Sequence, residues 1–166
     1  MNYGETIITT AKTAAAWAAV ADVTGWPEWT ASMSEVAPLD RPTLGVGSRF
    51  RIRQPGFPTT VWRVYDLQPG VSFAWEAHAP GVHTFAYHRV EAQPDGTTRI
   101  SIGIEQSGAL AWLVALLTAA RTRRYLRMEA AALKAAAESG TIPSPAPADE
   151  AAGDIMDEGV RRTGGW

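Results

Sequence analysis

Alternation of apolar and polar residues with a period of two marks the middle of the chain as a set of short strands. The runs fall at 48–54, 61–67, 71–77, 82–90 and 98–106, with weaker candidates at 6–10 and 33–38. Pro55-Gly56, Pro69-Gly70, Pro80-Gly81 and Pro94-Asp95-Gly96 separate them. Connections this short cannot hold crossover helices, so the strands are expected to form an antiparallel meander. Two segments change to a helical period. The stretch 13–23 is Ala-rich, with Trp17 and Val20 on one face and Gly25 as a stop signal. The stretch 109–137 places Leu110, Leu113, Leu117, Tyr125, Met128 and Ala132 at helical spacing, opposite Arg123, Arg124, Arg127 and Lys134. Strands between a short and a long helix predict an α+β fold, the long helix lying against one face of a curved sheet.

Side-chain parity then sorts the strands into two faces. Taking the proline–glycine pairs as hairpin centres sets Phe73 opposite His88, Trp75 opposite Ala86, Ile102 opposite His88 and Asp66 opposite Phe73. A five-residue loop at 55–59 sets Ile52 opposite Trp62 and Phe50 opposite Val64. One face carries Phe50, Ile52, Trp62, Val64, Phe73, Trp75, Ala86, His88, Ile100, Ile102 and Ile104, and is predicted to face inward. The other carries Arg49, Arg51, Arg53, Arg63, Glu76, Arg89, Arg99 and Glu105, a solvated set whose ion pairs contribute little each. Phe85 and Tyr87 fall on the charged face against the pattern; a bulge near residue 86 would turn them inward and take His88 out.

The predicted inner face is aromatic with a few polar groups, namely His88, Gln54, Gln106, Thr84 and Asp66. An apolar surface with a few convergent polar groups has the composition of a small-molecule site. Packed cores avoid such groups, because an unsatisfied buried polar atom costs about 1–3 kcal/mol. His88 is the sharpest candidate, a mid-strand imidazole able to donate to a ligand oxygen or exchange protons near neutrality.

Composition narrows the classes of function. The 166 residues suit one domain, and the absence of cysteine excludes a disulfide scaffold, a thiolate nucleophile and Cys-ligated zinc or iron–sulfur sites. The formal net charge of −2 divides unevenly: 13 Lys/Arg face 12 Asp/Glu up to residue 138, and two Arg face five Asp/Glu beyond it. No polybasic tract points to nucleic acid, no apolar run is long enough for a membrane span, and no secretory leader opens the sequence, so a cytoplasmic protein is expected. Residues 1–138 are read as one domain. Residues 139–166 are a Pro-rich linker and acidic tail, disordered or docked on the body. His78 and His83 would face each other across a hairpin, but at an exposed end with no carboxylate beyond Glu76, so no metal is expected. Gly45-Val-Gly47-Ser48 precedes a strand and lacks phosphate-loop geometry. No cofactor is expected.

The run from Trp17 through Asp22, Trp26, Pro27 and Trp29 resembles the N-terminal signature of the START-like, or SRPBCC, superfamily, in its polyketide cyclase/dehydrase branch. The similarity continues through Gly45-Val-Gly47-Ser48, Pro55-Gly56, Trp62-Arg-Val64, Pro69-Gly70, Phe73-Ala-Trp75 and Pro80-Gly81. It then passes through His88 and Glu105-Gln-Ser-Gly108 to Tyr125-Leu, Glu129 and Leu133-Lys134, covering about residues 3–138. The resemblance implies a helix-grip fold, a seven-stranded antiparallel sheet curling round a long C-terminal helix, with two short N-terminal helices and a hydrophobic cavity. Fold alone does not fix chemistry. The leading expectation is a binding protein for a hydrophobic, partly oxygenated small molecule such as a polyketide, lipid or isoprenoid. Trp29, Phe50, Trp62, Phe73, Trp75, Ile102, Leu117 and Tyr125 would give apolar contact, with His88 and Gln106 orienting oxygen atoms. The rival expectation is a cyclase/dehydratase in which His88 shuttles protons and Tyr125 or Gln106 polarises a carbonyl. A third is a regulatory module whose tail folds over Arg123, Arg124 and Arg127, with Trp166 plugging the cavity mouth.

Overall fold

A computed structural model describes residues 1–140 of the chain. The tail and its proposed lid, Trp166 included, lie outside the described residues. Seven strands, β1 (Asn2–Thr9), β2 (Glu35–Pro38), β3 (Arg49–Arg53), β4 (Thr60–Gln68), β5 (Ser72–Ala79), β6 (Val82–Ala92) and β7 (Thr98–Ser107), form one curved antiparallel sheet in the order β1-β7-β6-β5-β4-β3-β2. Helix α1 (Thr13–Ala21), a 3-10 turn (Val23–Gly25) and the single-turn helix α2 (Trp26–Trp29) follow β1. The long helix α3 (Ala111–Ser139) closes the described chain. It stops at Gly140, whose φ of 61° is the left-handed conformation that glycine adopts without a Cβ penalty.

Parity along the sheet follows the alternation of the sequence. Phe73 pairs with His88, Trp75 with Ala86, and Ile102 with His88, as the hairpin arithmetic requires. Two registers differ. Between β3 and β4 the pairs are Phe50 with Trp62 and Ile52 with Thr60, two residues from the expected alignment. A slip of two preserves which side each residue faces. Between β4 and β5 the ladder shifts between Val64 and Asp66, so Leu67 stands opposite Phe73 and Asp66 is exposed. The irregularity therefore sits at Tyr65 and not near residue 86, and Asp66 leaves the inner face.

Phe85 and Tyr87 stay on the outer face, and the structure supplies their partners. The Phe85 ring meets Tyr65 edge-on at 5.8 Å and lies 4.0 Å from the His83 ring. Tyr87 covers Gly103, where an added Cβ would come within 2.4 Å of its ring. The strand glycine is thus the space that an outward aromatic fills.

The core occupies one end of the molecule. Val20, Val23 and Trp26 from the N-terminal helices meet Phe50, Ile52, Val64, Phe73, Val90, Ile100 and Ile102 from the sheet. Ala130, Leu133, Ala136 and Ala137 bring in the C-terminal half of α3, whose small side chains allow close approach. The helix packs on β1, β7 and α1. Its N-terminal half diverges from the central strands, and the space left between them is the cavity.

Candidate functional site

The cavity holds about 580 Å³, within the range of small-molecule pockets. Trp62, Trp75, Ala77, Ala86, Ile102 and Ile104 line its sheet side, and Val114, Thr122, Tyr125, Leu126 and Glu129 its helix side. Phe57, Pro58 and Thr59 from the β3–β4 loop join Ala79 and Pro80 from the β5–β6 hairpin in completing the wall. Trp62 and Trp75 approach at 5.3 Å and present one broad aromatic surface.

His88 is 4% exposed and lies flat on Phe73, ring centres 4.6 Å apart and 9° from parallel. Trp75 meets it edge-on at 5.9 Å, and Trp26 packs at 4.9 Å. Its Nε2 lies 2.7 Å from Glu129 Oε1, the short separation of a charge-assisted hydrogen bond. Both groups are buried, and an isolated charge at either would be strongly unfavourable. Pairing is what lets each remain there. The pairing fixes Nε2 and leaves Nδ1 without a protein partner.

Among the described residues, four buried side-chain polar atoms lack a hydrogen-bond partner: Trp29 Nε1, Trp75 Nε1, His88 Nδ1 and Gln106 Oε1. Three of the four belong to cavity-lining residues. Folded proteins normally satisfy such groups, and these three atoms are covered just behind the cavity surface.

The expected site residues divide into three groups. Trp62, Trp75, His88, Ile102, Gln106 and Tyr125 line the cavity, as do Gln54 and Thr84. Phe50 and Phe73 are fully buried behind that wall, where Phe73 supports His88 and Phe50 packs on Trp75 at 6.4 Å. Trp29 packs on Trp26 at 6.2 Å, also outside the lining. Leu117 is the correction: it is 75% exposed, on the solvent side of α3. Trp112 at 62%, Leu113 and Leu116 share that exposure, so the apolar stripe read from the first turns of this helix faces water. The true inward stripe is Thr122, Tyr125, Leu126, Glu129 and Leu133, at intervals of three or four residues.

Tyr125 is committed elsewhere. Its hydroxyl donates to Pro55 O at 2.7 Å, and its ring packs on Phe57 at 5.8 Å. Arg121 donates to Gly56 O and lies over the same Phe57 ring. Together they anchor the β3–β4 loop to the helix. The residue that sequence reasoning left without a role is Glu129. Its signal was available, an acid in register with Thr122, Tyr125, Leu126 and Leu133 on one helical face.

A family model described as polyketide cyclase / dehydrase and lipid transport matches residues 3–138. No curated protein sequence matches the chain significantly. Among solved structures, the Zhui aromatase/cyclase from Streptomyces sp. R1128 superposes with a TM-score of 0.68 at 18% identity, over 83% of this chain and 93% of that one. A hypothetical protein of Helicobacter pylori gives 0.69 at 18% identity, over 81% and 86% of the two chains. The di-domain aromatase/cyclase StfQ of the steffimycin pathway gives 0.61 at 17% identity, over 82% of this chain and 44% of that one.

Proposed function

Because the chain belongs to the polyketide cyclase/dehydrase and lipid transport family, we propose that it binds a hydrophobic, partly oxygenated small molecule in the cavity between α3 and the sheet. The observation that carries this reading is the coincidence of an indole-lined space with orphaned polar atoms on Trp75, His88 and Gln106. Flat apolar portions of the ligand lie against Trp62 and Trp75, where each fully buried ring contributes about 1.5–3 kcal/mol. Once small side-chain movements uncover these atoms, the Trp75 N–H donates to a ligand carbonyl and Gln106 Oε1 accepts from a ligand hydroxyl. A polyketide, with oxygen at regular intervals on a carbon skeleton, suits this pattern better than a plain hydrocarbon chain.

Native mass spectrometry of the purified protein, followed by titration with polycyclic phenols, polyketide mimics and isoprenoid alcohols, tests the reading. Trp75→Ala and Trp62→Ala are expected to weaken capture roughly ten- to hundred-fold. Failure of every member of that panel to bind, or equal binding by both variants, overturns it.

The His88–Glu129 pair favours a second reading, acid–base cyclisation. With Glu129 holding Nε2–H, His88 Nδ1 takes a proton from a carbon between two carbonyls. The resulting enolate carbon attacks a distant ketone, a carbon–carbon bond forms, and the new alkoxide takes the proton back from Nδ1. That bond closes the ring; Nδ1 then takes a second proton from the same carbon and passes it to the departing hydroxyl, so that water leaves and a carbon–carbon double bond forms, with no redox partner required. Orientation in the cavity supplies much of the acceleration. With the Tyr125 hydroxyl bound to Pro55 O, the Trp75 N–H is the better group to polarise a carbonyl. His88→Asn separates the two readings: loss of turnover with affinity kept within a few-fold supports catalysis.

A further inference from the structure

On the outer face, at the hairpin end of β5 and β6, His78 stands directly opposite His83, and Glu76 lies two residues before His78 on the same side. Among the described residues, this is the one group of three or more His, Cys, Asp or Glu side chains whose ligating atoms converge, all within 4.8 Å of one another. Both imidazoles direct Nε2 at the same oxygen: Glu76 Oε2 lies 3.0 Å from His83 and 3.7 Å from His78. The rings stack at 3.9 Å with 21° between their planes.

We propose that Glu76, His78 and His83 form a binding site for one divalent transition-metal ion of the zinc type, on the outer face of the sheet at the rim of the cavity, which His78 also lines. Two donors of a tetrahedral zinc ion, each about 2.0–2.1 Å from the metal, lie about 3.3 Å apart. The two separations from Glu76 Oε2 bracket that value and all three donor atoms lie within 4.8 Å of one another, so adjustment of the exposed His78 completes the triad. Two imidazoles and one carboxylate select zinc-like ions over magnesium or calcium, which prefer oxygen donors throughout. A fourth position stays open to water.

The surroundings hold the donors in place. Arg63 Nη1 lies 3.8 Å from Glu76 Oε1, on the oxygen the histidines do not use, which orients the carboxylate from behind. Phe85 braces the His83 ring, and Tyr65 braces Phe85. Without a metal, the same cluster sets two stacked imidazoles against a single carboxylate oxygen.

Calorimetric titration of the full chain with zinc chloride, after treatment with a chelator, tests the site. One ion per chain is expected. His78→Ala, His83→Ala and Glu76→Gln should each weaken binding at least about ten-fold, since the first two remove a donor atom and the third removes the carboxylate charge. Glu35→Gln, an exposed carboxylate elsewhere on the sheet, should leave it unchanged. Cobalt(II) should develop visible d–d bands in the native chain that are lost in His83→Ala. The three side chains lie on the outer face, and thermal melts without metal confirm that each variant is folded. Absence of measurable zinc binding overturns the site, as does an affinity that none of the three substitutions changes. Zinc binding is read without any cavity ligand, and capture of that ligand is tested separately through Trp62 and Trp75, so failure of one reading is distinguishable from failure of the other.

Discussion

A histidine sealed between Phe73, Trp26 and Trp75 survives because one carboxylate reaches it from a helix 41 positions along the chain. Removing one member of such a pair strands the other away from water, which costs about 3–5 kcal/mol, whereas replacing both with apolar groups is often near neutral. Denaturant unfolding of Glu129→Leu, His88→Phe and the double variant should therefore show strong non-additivity, with coupling above about 1 kcal/mol. Additive losses within about 0.5 kcal/mol would mean that the two groups are not an energetic unit. At this scale the sequence was half informative. Period-two alternation placed His88 inside, because a strand offers only two faces. Glu129 stayed hidden because an acid on a helix normally faces water, and only its register with the inward stripe says otherwise. The Asp66 assignment failed for a comparable reason: one bulged residue at Tyr65, which no turn motif announces, turned it outward.

Helix α3 carries two different faces in succession. Its C-terminal half buries Ala130, Leu133, Ala136 and Ala137, while its first turns leave Trp112, Leu116 and Leu117 in water. Helical spacing could not distinguish the two stretches, since both show apolar residues three and four apart. What separates them is the sheet, which approaches the helix closely at one end only. Leu116→Lys and Leu117→Lys should consequently change folding stability by no more than about 0.5 kcal/mol, as exposed positions do. Leu133→Ala should cost about 2–5 kcal/mol. Thermal melts of the three variants check the contrast, and a large loss at Leu117 would place that side chain in the core after all. The β-meander was easier to read than the helix, because its hairpins fix both register and face. The β3–β4 slip of two residues went unnoticed by parity since it leaves every side chain on its expected side.

The two ends of the described chain are tied by a carboxylate. Glu138, in the last turn of α3, accepts hydrogen bonds from Thr9 Oγ1 at 2.8 Å and from the Thr10 backbone N–H at 3.2 Å. These bonds, chiefly that from Thr9, hold its carboxyl below the ordinary value, with Lys134 assisting. A depressed folded-state pKa gives stability that is present above the ordinary glutamate range and is lost as pH falls through the lowered value. On acidification from about pH 6 to about pH 3, the native protein should lose more of its melting temperature than Glu138→Gln, which has no charge there to lose. Parallel acid limbs for the two proteins would show that the tie is not electrostatic. The overall architecture was the most legible level, because turn spacing and the order of weak motifs constrain it many times over. The cavity was less so: its volume depends on where α3 diverges from the sheet, a property of no single residue.

Trp26, Trp75 and Trp62 form a chain of indoles with centres 5.6 and 5.3 Å apart, and only the latter two line the chamber. Rings this near exchange excitation, so light absorbed at Trp26 emerges partly from its neighbours. An occupant resting on Trp62 would dim or shift emission that began deep in the core, at an indole it never touches. The molecule thus carries a built-in optical gauge of its own occupancy, readable without any label.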